Sequence, residues 1–185
     1  MSVALTDDNV LIAEIAEGDK KAMKALVERY KRKAFYMALG MVGNRDEALD
    51  ISQEAFIRVF KSACRFDREQ RFFPWFYSIV ANLCKDSLQR REKRDSKSVD
   101  LDENDFLLVD DSDPEKKLML KEQAQILRKA LDQLSFEDRE IIMLKHFRDM
   151  SYDEISRLLK IPKGTVMSRL YYARKKLAKL CDELA

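Results

Sequence analysis

The stretch Ser151–Lys176, SYDEISRLLKIPKGTVMSRLYYARKK, predicts two helices separated by a tight turn. Ser151 and Glu154 form a capping box, in which each residue satisfies a backbone N–H of the other at the start of the first helix. Pro162 forces the preceding residue out of the helical region and can begin a new helix near its first position. Between residues 155 and 181 the chain carries eight Lys or Arg and no acid. This pattern is typical of a helix-turn-helix whose second helix lies along DNA.

An ordinary helical hairpin with a basic, solvated surface is the alternative on this pattern alone. The turn carries Lys160 where glycine would be easiest, and a left-handed lysine costs about 1 kcal/mol of strain. We expect Val166 and Leu170 to face inward, and the outward residues to be Ser168, Arg169, Tyr172, Arg174 and Lys175.

Composition predicts an all-α protein of one or two domains. Charged residues make up 37% of the chain, and there are only four Gly and three Pro, so residues that favour turns are scarce. No apolar run approaches membrane-spanning length and the N-terminus lacks a basic, apolar leader, so we expect no membrane insertion and a cytoplasmic location. The three cysteines lack a CxxC pair and are expected to be buried free thiols. The lone His146 is expected to pack at a helix end.

The first half of the chain predicts a series of helices. Thr6 is the expected cap of a short helix that ends at Gly18. Asp19 starts a longer helix that ends at Gly43-Asn44, and a third helix follows from about Arg45. The residues expected to face inward are Ala22, Leu26, Tyr30, Ala34 and Met37 in the longer helix, and Ala48, Ile51, Ala55, Phe56 and Val59 in the third.

Four polar residues line one face of the third helix at spacings of three and four: Asp46, Asp50, Gln53 and Glu54. From the residues alone, a solvated helix face is the simpler interpretation. A docking surface for a basic helix is the alternative.

A polar loop at residues 67–72 is followed by a helix, and Pro74 suits the first turn of that helix. The helix begins with an aromatic cluster: Phe72, Phe73, Trp75, Phe76 and Tyr77. Between residues 61 and 94 the chain has nine Lys or Arg against four acids. Aromatic rings among cations suit single-stranded nucleic acid, because bases stack on the rings while the cations follow the phosphates. The competing explanation is that the rings form a core. We expect some of Trp75, Phe76 and Ile79 to pack inside and a minority of the aromatic rings to be exposed beside the loop.

The charge reverses between residues 95 and 115, where nine acids accompany one lysine. This acidic, aperiodic segment predicts a flexible linker between two domains. Its apolar island, Phe106–Val109, is expected to dock on a partner or on the domains of the chain itself. Asp113-Pro114 opens the next helix, and Ser135 with Asp138 caps the one after it. The residues expected to face inward are Leu118, Leu120, Ile126, Leu127, Ala130 and Leu131, followed by Ile141, Ile142, Leu144 and Phe147.

Three blocks in this order resemble the extracytoplasmic-function sigma factors of bacterial RNA polymerase: DEALDISQEAFIRVFK, FFPWFYSIVANLCKD and SYDEISRLLKIPKGTVMSRLYYARKKL. The last block is similar to the family's YEEIA…P-x-GTV-x-SRL-x-x-AR-x-x-L. The resemblance covers almost the whole chain and implies an all-α fold of two small helical domains. These are a σ2 helical bundle over residues 1–94 and a σ4 helix-turn-helix over 114–185, joined by a flexible acidic linker over 95–113.

The resemblance implies a subunit that directs core RNA polymerase to promoter DNA and assists melting at the −10 element. It further implies docking on the β′ coiled coil and the β flap, and control by an anti-sigma factor. The residues implied in core binding are Asp46, Asp50, Gln53 and Glu54.

The resemblance also implies two promoter contacts. The loop and the helix after it would read the −10 element and capture a flipped base, through Phe66, Arg68, Arg71, Phe72, Trp75, Asn82 and Lys85. The second helix of the helix-turn-helix would read the −35 element as duplex, through Lys163, Thr165, Met167, Ser168, Arg169, Tyr171, Tyr172, Arg174 and Lys175. The chain departs from the common family pattern at Ser156, Lys160, Met167 and Tyr171-Tyr172. The resemblance therefore implies the family's way of docking on the −35 element but not a particular −35 sequence.

An enzyme is a poor interpretation, because the sequence has no Gly-rich phosphate loop, metal-ligand cluster or nucleophile–base arrangement. We therefore expect no catalytic residue, no metal and no cofactor. The alternative function is a helix-turn-helix regulator that binds DNA independently of polymerase. An adaptor that binds only proteins is a third possibility.

Overall fold

The computed structural model describes residues 7–95, 114–148 and 150–185, and these residues form α-helices and no strand, which confirms the all-α prediction. The first module comprises α1 (Asp8–Ala16), α2 (Lys20–Val42), α3 (Arg45–Ser62), a 3₁₀ turn (Ala63–Arg65) and α4 (Phe72–Asp95). The second module comprises α5 (Pro114–Asp132), α6 (Phe136–Arg148), α7 (Tyr152–Leu159) and α8 (Lys163–Leu184).

Local signals set the ends of the helices in the first module. The Asp19 carboxylate accepts the Lys21 N–H at 2.6 Å and caps α2. Gly43 ends α2 with a left-handed φ of 74°, a conformation that costs glycine little. Asn44 then caps α3 by accepting the Glu47 N–H at 2.9 Å. The predicted inner faces of α2 and α3 are all buried.

Several predictions need correction. The predicted cap Thr6 lies outside the described residues, and Asp7 caps α1 instead. Leu127 points to solvent rather than inward, and Cys64 is exposed although Cys84 is buried. His146 is exposed rather than packed. Phe106–Val109, Asp113 and the side chains of Leu118, Leu120 and Phe147 lie outside what the structure describes.

The turn of the helix-turn-helix is held by two residues that depart from the family pattern. The capping box is present, since the Ser151 hydroxyl accepts the Glu154 N–H at 3.3 Å and Glu154 accepts the Ser151 N–H at 2.9 Å. Lys160 is left-handed at φ 55°, the conformation whose strain was weighed for this turn. The Ser156 hydroxyl donates to the Ile161 carbonyl at 2.6 Å, and the Ser156 carbonyl accepts the Ile161 N–H at 3.2 Å. Ser156 therefore fixes the turn that Lys160 must make.

The two modules pack against each other through α2 and α4 on one side and α5 and α6 on the other. The Tyr77 hydroxyl of α4 donates to the Glu140 carboxylate of α6 at 2.9 Å, and both side chains are buried. Met143 of α6 covers Gly40 of α2. Buried residues of both modules consequently form one continuous hydrophobic core.

Candidate docking and nucleic-acid surfaces

The polar face of α3 points to solvent. Asp46, Asp50 and Gln53 are exposed, while Glu54 is partly covered and accepts a hydrogen bond from Arg58 Nε at 3.2 Å. This i,i+4 pair satisfies Glu54 within the helix and contributes little stability at such an exposed position. Asp50 and Gln53 have the better access to a partner.

Three large apolar side chains on α3 are also exposed, and the sequence predictions missed them. Leu49, Ile57 and Phe60 retain 48%, 45% and 53% of their accessible surface. At 100° per residue, these positions fall on the same side of the helix as Asp46, Asp50 and Gln53. The helical spacing alone could have placed these apolar residues on the polar face, whereas the sequence predictions considered only the inward stripe of α3. A helix face that exposes several large apolar side chains among acids is typical of a protein–protein docking site.

The loop before α4 is ordered by its own side chains and by α1. The Asp67 carboxylate accepts the Glu69 N–H at 3.0 Å, which closes the turn. The Asn9 side chain donates to the carbonyls of Arg68 and Gln70 at 3.1 and 2.9 Å. Sequence reasoning did not find Asn9, because no local pattern marks a contact made across some sixty residues. α1 therefore holds the shape of this loop.

Most of the aromatic cluster is core. Phe66, Phe72, Phe76 and Tyr77 are buried, and Trp75 is partly covered with its ring centroid 4.9 Å from that of Phe66. No ring of the cluster is fully exposed among the described residues. Phe66 and Phe72 are therefore corrected from candidate base contacts to supports of the loop, because rings packed on both faces cannot also stack on a base.

The polar members of the candidate −10 set remain at the surface. Arg68, Arg71, Asn82 and Lys85 are exposed. Arg71 and Glu154 of α7 both line a cleft of about 710 Å³. The pKa of Glu154 is lowered mainly by its hydrogen bonds from Ser151, and the positive charge of Arg71 adds a smaller contribution in the same direction. The Lys85 ammonium lies 4.9 Å from the centroid of the Phe136 ring of α6, a cation–π contact.

Helix α8 buries one stripe and presents a broad outer surface. Val166, Leu170 and Ala173 are buried, as predicted for the first two. Met167, Tyr171 and Tyr172 are strongly exposed, the tyrosines to 62% and 66%. Lys163, Ser168, Arg174 and Lys175 are also exposed, whereas Thr165 and Arg169 are partly covered. Arg169 thus lies at the flank of the outer surface rather than at its centre.

Two cations of α8 have partners within the second module. Lys163 donates to Asp153 at 2.9 Å. Arg174 lies 3.1 Å from His146 Nε2, and because a guanidinium only donates, Nε2 is the acceptor. Partial burial, and then the charge of Arg174, lower the pKa of His146, so the imidazole is neutral and His146 orients Arg174.

The described ranges contain no cluster of metal-ligating side chains. None of their helices is both long and apolar enough to cross a membrane.

Comparisons with known proteins identify both modules. Residues 26–94 match Sigma-70 region 2, and residues 124–177 match Sigma-70, region 4. The chain is 30% identical to the RNA polymerase sigma-H factor of Pseudomonas aeruginosa, over 96% of this chain and 95% of that protein. It is 33% identical to the ECF RNA polymerase sigma-E factor of Escherichia coli K12, over 94% and 93%. Its identity to the ECF sigma factor SigW of Bacillus subtilis is 32%, over 94% and 96%.

Solved structures share the fold. CnrH in complex with the cytosolic domain of CnrY superposes with a TM-score of 0.68 at 24% identity, over 95% of this chain and 97% of that one. RpoE of Bartonella quintana, in complex with the anti-sigma factor NepR, gives 0.68 at 22% identity, over 88% and 98%.

The two matched regions, in this order, define a transcription initiation factor of the sigma-70 type. Since relatives at 30% identity or more align over nearly its whole length, the chain belongs to the extracytoplasmic-function sigma factors, the subunits that direct bacterial RNA polymerase to promoters.

Proposed function

We propose that the exposed face of α3 is the surface by which this sigma factor docks on core RNA polymerase, at the β′ coiled coil. The observation that carries the proposal is one exposed helix face on which Leu49, Ile57 and Phe60 are interspersed with Asp46, Asp50 and Gln53. Exposed apolar residues of this size are costly in water unless a partner covers them. The acids among them add specificity for a basic partner, while Glu54 acts through its pair with Arg58.

We assign −10 recognition to the loop and to the outer side of α4. Arg68, Arg71 and Lys85 supply positive charge for a separated strand, and Asn82 supplies both a donor and an acceptor for an unpaired base. Trp75 is only partly covered and its ring packs against that of Phe66 of the loop, so it is the candidate for stacking. Phe66 and Phe72 hold the loop from beneath.

We assign −35 recognition to α8. Its exposed residues include cations for phosphates, namely Lys163, Arg174 and Lys175, and side chains able to reach base edges. Met167, Tyr171 and Tyr172 are strongly exposed on the outer surface and give it an apolar character. They fit contact with thymine methyl groups better than bidentate pairing with guanine. Thr165, Ser168 and Arg169 complete the candidate set.

The remaining proposals concern the setting of this activity. We propose that the protein acts in the cytoplasm, where polymerase and promoters are found, has no enzymatic activity of its own and needs no cofactor. An anti-sigma factor is the proposed regulator, which would cover the surfaces assigned above, and the β flap is the proposed partner of the second module. The boundaries of the two domains, 1–94 and 114–185, also remain proposals.

The test of the docking assignment is the affinity of purified chain for core polymerase. Phe60→Ala and Asp50→Lys should each weaken binding by about tenfold or more, as expected for an aromatic anchor and for a reversed charge at an interface. The matched controls are Val10→Ala and Glu28→Lys, which change an exposed apolar residue of α1 and an exposed acid of α2. Equal affinities for all four variants would refute the assignment.

The same preparation tests the alternative of a polymerase-independent regulator. Duplex promoter DNA should bind the chain specifically only when core polymerase is present. Tight, sequence-specific binding by the isolated chain would favour the alternative.

A further inference from the structure

The middle of the loop between the 3₁₀ turn and α4 is not held by burial. Residues 67–71 are all exposed, while Phe66 before them and Phe72 after them are buried. The two rings therefore fix only the ends of the loop. Hydrogen bonds have to fix its middle, because an exposed segment without them would sample many backbone conformations.

Asn9 of α1 supplies hydrogen bonds that reach this loop from another helix. Its side-chain amide donates to the Arg68 carbonyl at 3.1 Å and to the Gln70 carbonyl at 2.9 Å. Since a carbonyl oxygen can only accept, both contacts require the NH₂ group of the amide, and a carboxylate could not replace it. Holding two carbonyls fixes the planes of two peptide units. The directions of the neighbouring side chains, among them Arg68 and Arg71, are fixed as a consequence.

α1 is itself anchored within the first module, so Asn9 has a defined position. The Asp7 carboxylate caps α1 by accepting the Asn9 N–H at 3.0 Å. Asp8 accepts a hydrogen bond from the Tyr30 hydroxyl of α2. The Tyr30 ring lies edge to face against Phe72, with the two centroids 5.1 Å apart. Adjacent residues of α1 therefore position both the loop and the first residue of α4.

The attraction of phosphates and the reading of bases depend differently on such a contact. Cations attract a strand by its charge, without regard to sequence. A base edge is recognised only by groups at hydrogen-bonding distance and in the right direction. A loop that loses its shape therefore keeps its cations but loses its preference for one base. The Sigma-70 region 2 match begins at residue 26, so α1 lies outside the matched region.

We propose that Asn9 is a positioning residue for the −10 element, which holds the loop in the shape that distinguishes one unpaired base from another. The inference rests on the proposed assignment of −10 recognition to this loop. Arg68, Arg71 and Lys85 attract the separated strand whatever its sequence. Asn9 does not touch the DNA, and it sets how strongly the correct base is preferred. α1 thereby takes part in promoter choice through two backbone carbonyls of the loop.

The test separates base discrimination from strand binding in the holoenzyme. Single-stranded DNA with a randomised −10 segment is selected on the parent holoenzyme, and the enriched sequence is compared with a scrambled strand of the same composition. The ratio of the two affinities measures discrimination. The affinity for the scrambled strand measures the contribution of the phosphates.

Two variants remove the donors of Asn9, and a third is their matched control. Asn9→Ala removes the amide without adding charge. Asn9→Asp keeps the shape but cannot donate, and an acid in the first turn suits the helix dipole of α1. Asn44→Asp makes the same chemical change at the cap of α3, where only an acceptor is needed. Melting followed by circular dichroism and the affinity for core polymerase check folding and docking.

Asn9→Ala and Asn9→Asp should each lower the discrimination ratio by at least about fivefold, as expected for the loss of two hydrogen bonds. The affinity of Asn9→Ala for the scrambled strand should change by less than about twofold, because the cations of the loop remain. Asn44→Asp should match the parent. A parent-like ratio in both Asn9 variants would overturn the proposal. So would an equal loss of affinity for both strands, which a purely structural role would produce.

Failure of the −10 assignment itself gives a different result. Asn82 is the proposed reader of the unpaired base, so Asn82→Ala would in that case leave the discrimination ratio unchanged. If Asn82→Ala lowers the ratio and neither Asn9 variant does, the assignment stands and the positioning role of Asn9 is refuted.

Discussion

Replacing Tyr77 by phenylalanine removes a single oxygen from the interface between the modules and leaves the ring in place. In the parent chain the Tyr77 hydroxyl donates to the Glu140 carboxylate at 2.9 Å inside the buried contact. The ring also packs against Phe73, with centroids 6.2 Å apart, and phenylalanine preserves that packing. The variant therefore leaves Glu140 in a buried site without its donor.

The size of the effect follows from the state of the carboxylate. Hydrogen bonds to charged groups contribute about 1.5–3 kcal/mol, and a buried acceptor left without a partner costs a similar amount. Because the bond joins α4 of the first module to α6 of the second, its loss is expected to weaken the closed form, in which the two modules pack together. A loss of about 1.5–3 kcal/mol lowers the ratio of closed to open form by roughly 10- to 100-fold.

A double-mutant cycle assigns the effect to this pair. Glu140→Gln keeps an acceptor oxygen for Tyr77 but carries no charge to bury, and the double variant lacks both the phenol and the carboxylate. With energy transfer between the two modules as the readout, the coupling between the changes should exceed about 0.5 kcal/mol, as is typical of contacting residues. Strict additivity, or a closed fraction unchanged in Tyr77→Phe, would refute the reasoning.

Three further results are expected. Arg174→Ala should weaken promoter binding by the holoenzyme across sequences and reduce the slope of log affinity against log salt by about one, because one phosphate contact is lost; an unchanged slope would show that Arg174 does not contact phosphate. Ser151→Ala should lower the stability of the second module to urea by about 1 kcal/mol, since α7 loses its cap, and an unaltered urea midpoint would contradict that. Burial raises the pKa of Glu140, so its contribution to the closed form is fully present below the open-form pKa and is lost as pH rises through the raised pKa. The closed fraction should therefore decrease as the pH rises above the ordinary range of a glutamate carboxyl in the parent chain but not in Glu140→Gln; equal slopes would exclude Glu140 as the titrating group. The groups that act on Glu140 from the packed elements are Tyr77, Lys85, Glu137 and Arg169.

Local chemistry accounts for what could be predicted from the sequence. Caps such as Asp19 and Ser151 depend on residues two or three positions away, and the inward stripe of α8 depends on a fixed helical period. Such features require no knowledge of the tertiary fold. The strain that a left-handed Lys160 would carry could be stated from the sequence, whereas the conformation itself is an observation of the structure.

The predictions fail where distant residues decide the outcome. Phe72 and Trp75 are separated by less than one helical turn and are similar in type. Phe72 nevertheless packs against Tyr30 of α2 and is buried, whereas Trp75 packs against Phe66 and is only partly covered. Likewise, Arg169 loses exposure at the flank of α8. The helical period predicts that Phe60 and Asp50 lie on the same face of α3. Whether a neighbouring helix covers Phe60 depends on the tertiary fold.

The proposed core-binding face and the candidate promoter surfaces are all open to solvent while the two modules are packed together. Phe60 of α3 is exposed, and so are Asn82 of the first module and Tyr171 and Tyr172 of the second. Lys85 is also exposed, although its ammonium lies against the Phe136 ring of α6. A partner can therefore reach each of these surfaces without a change in how the modules pack.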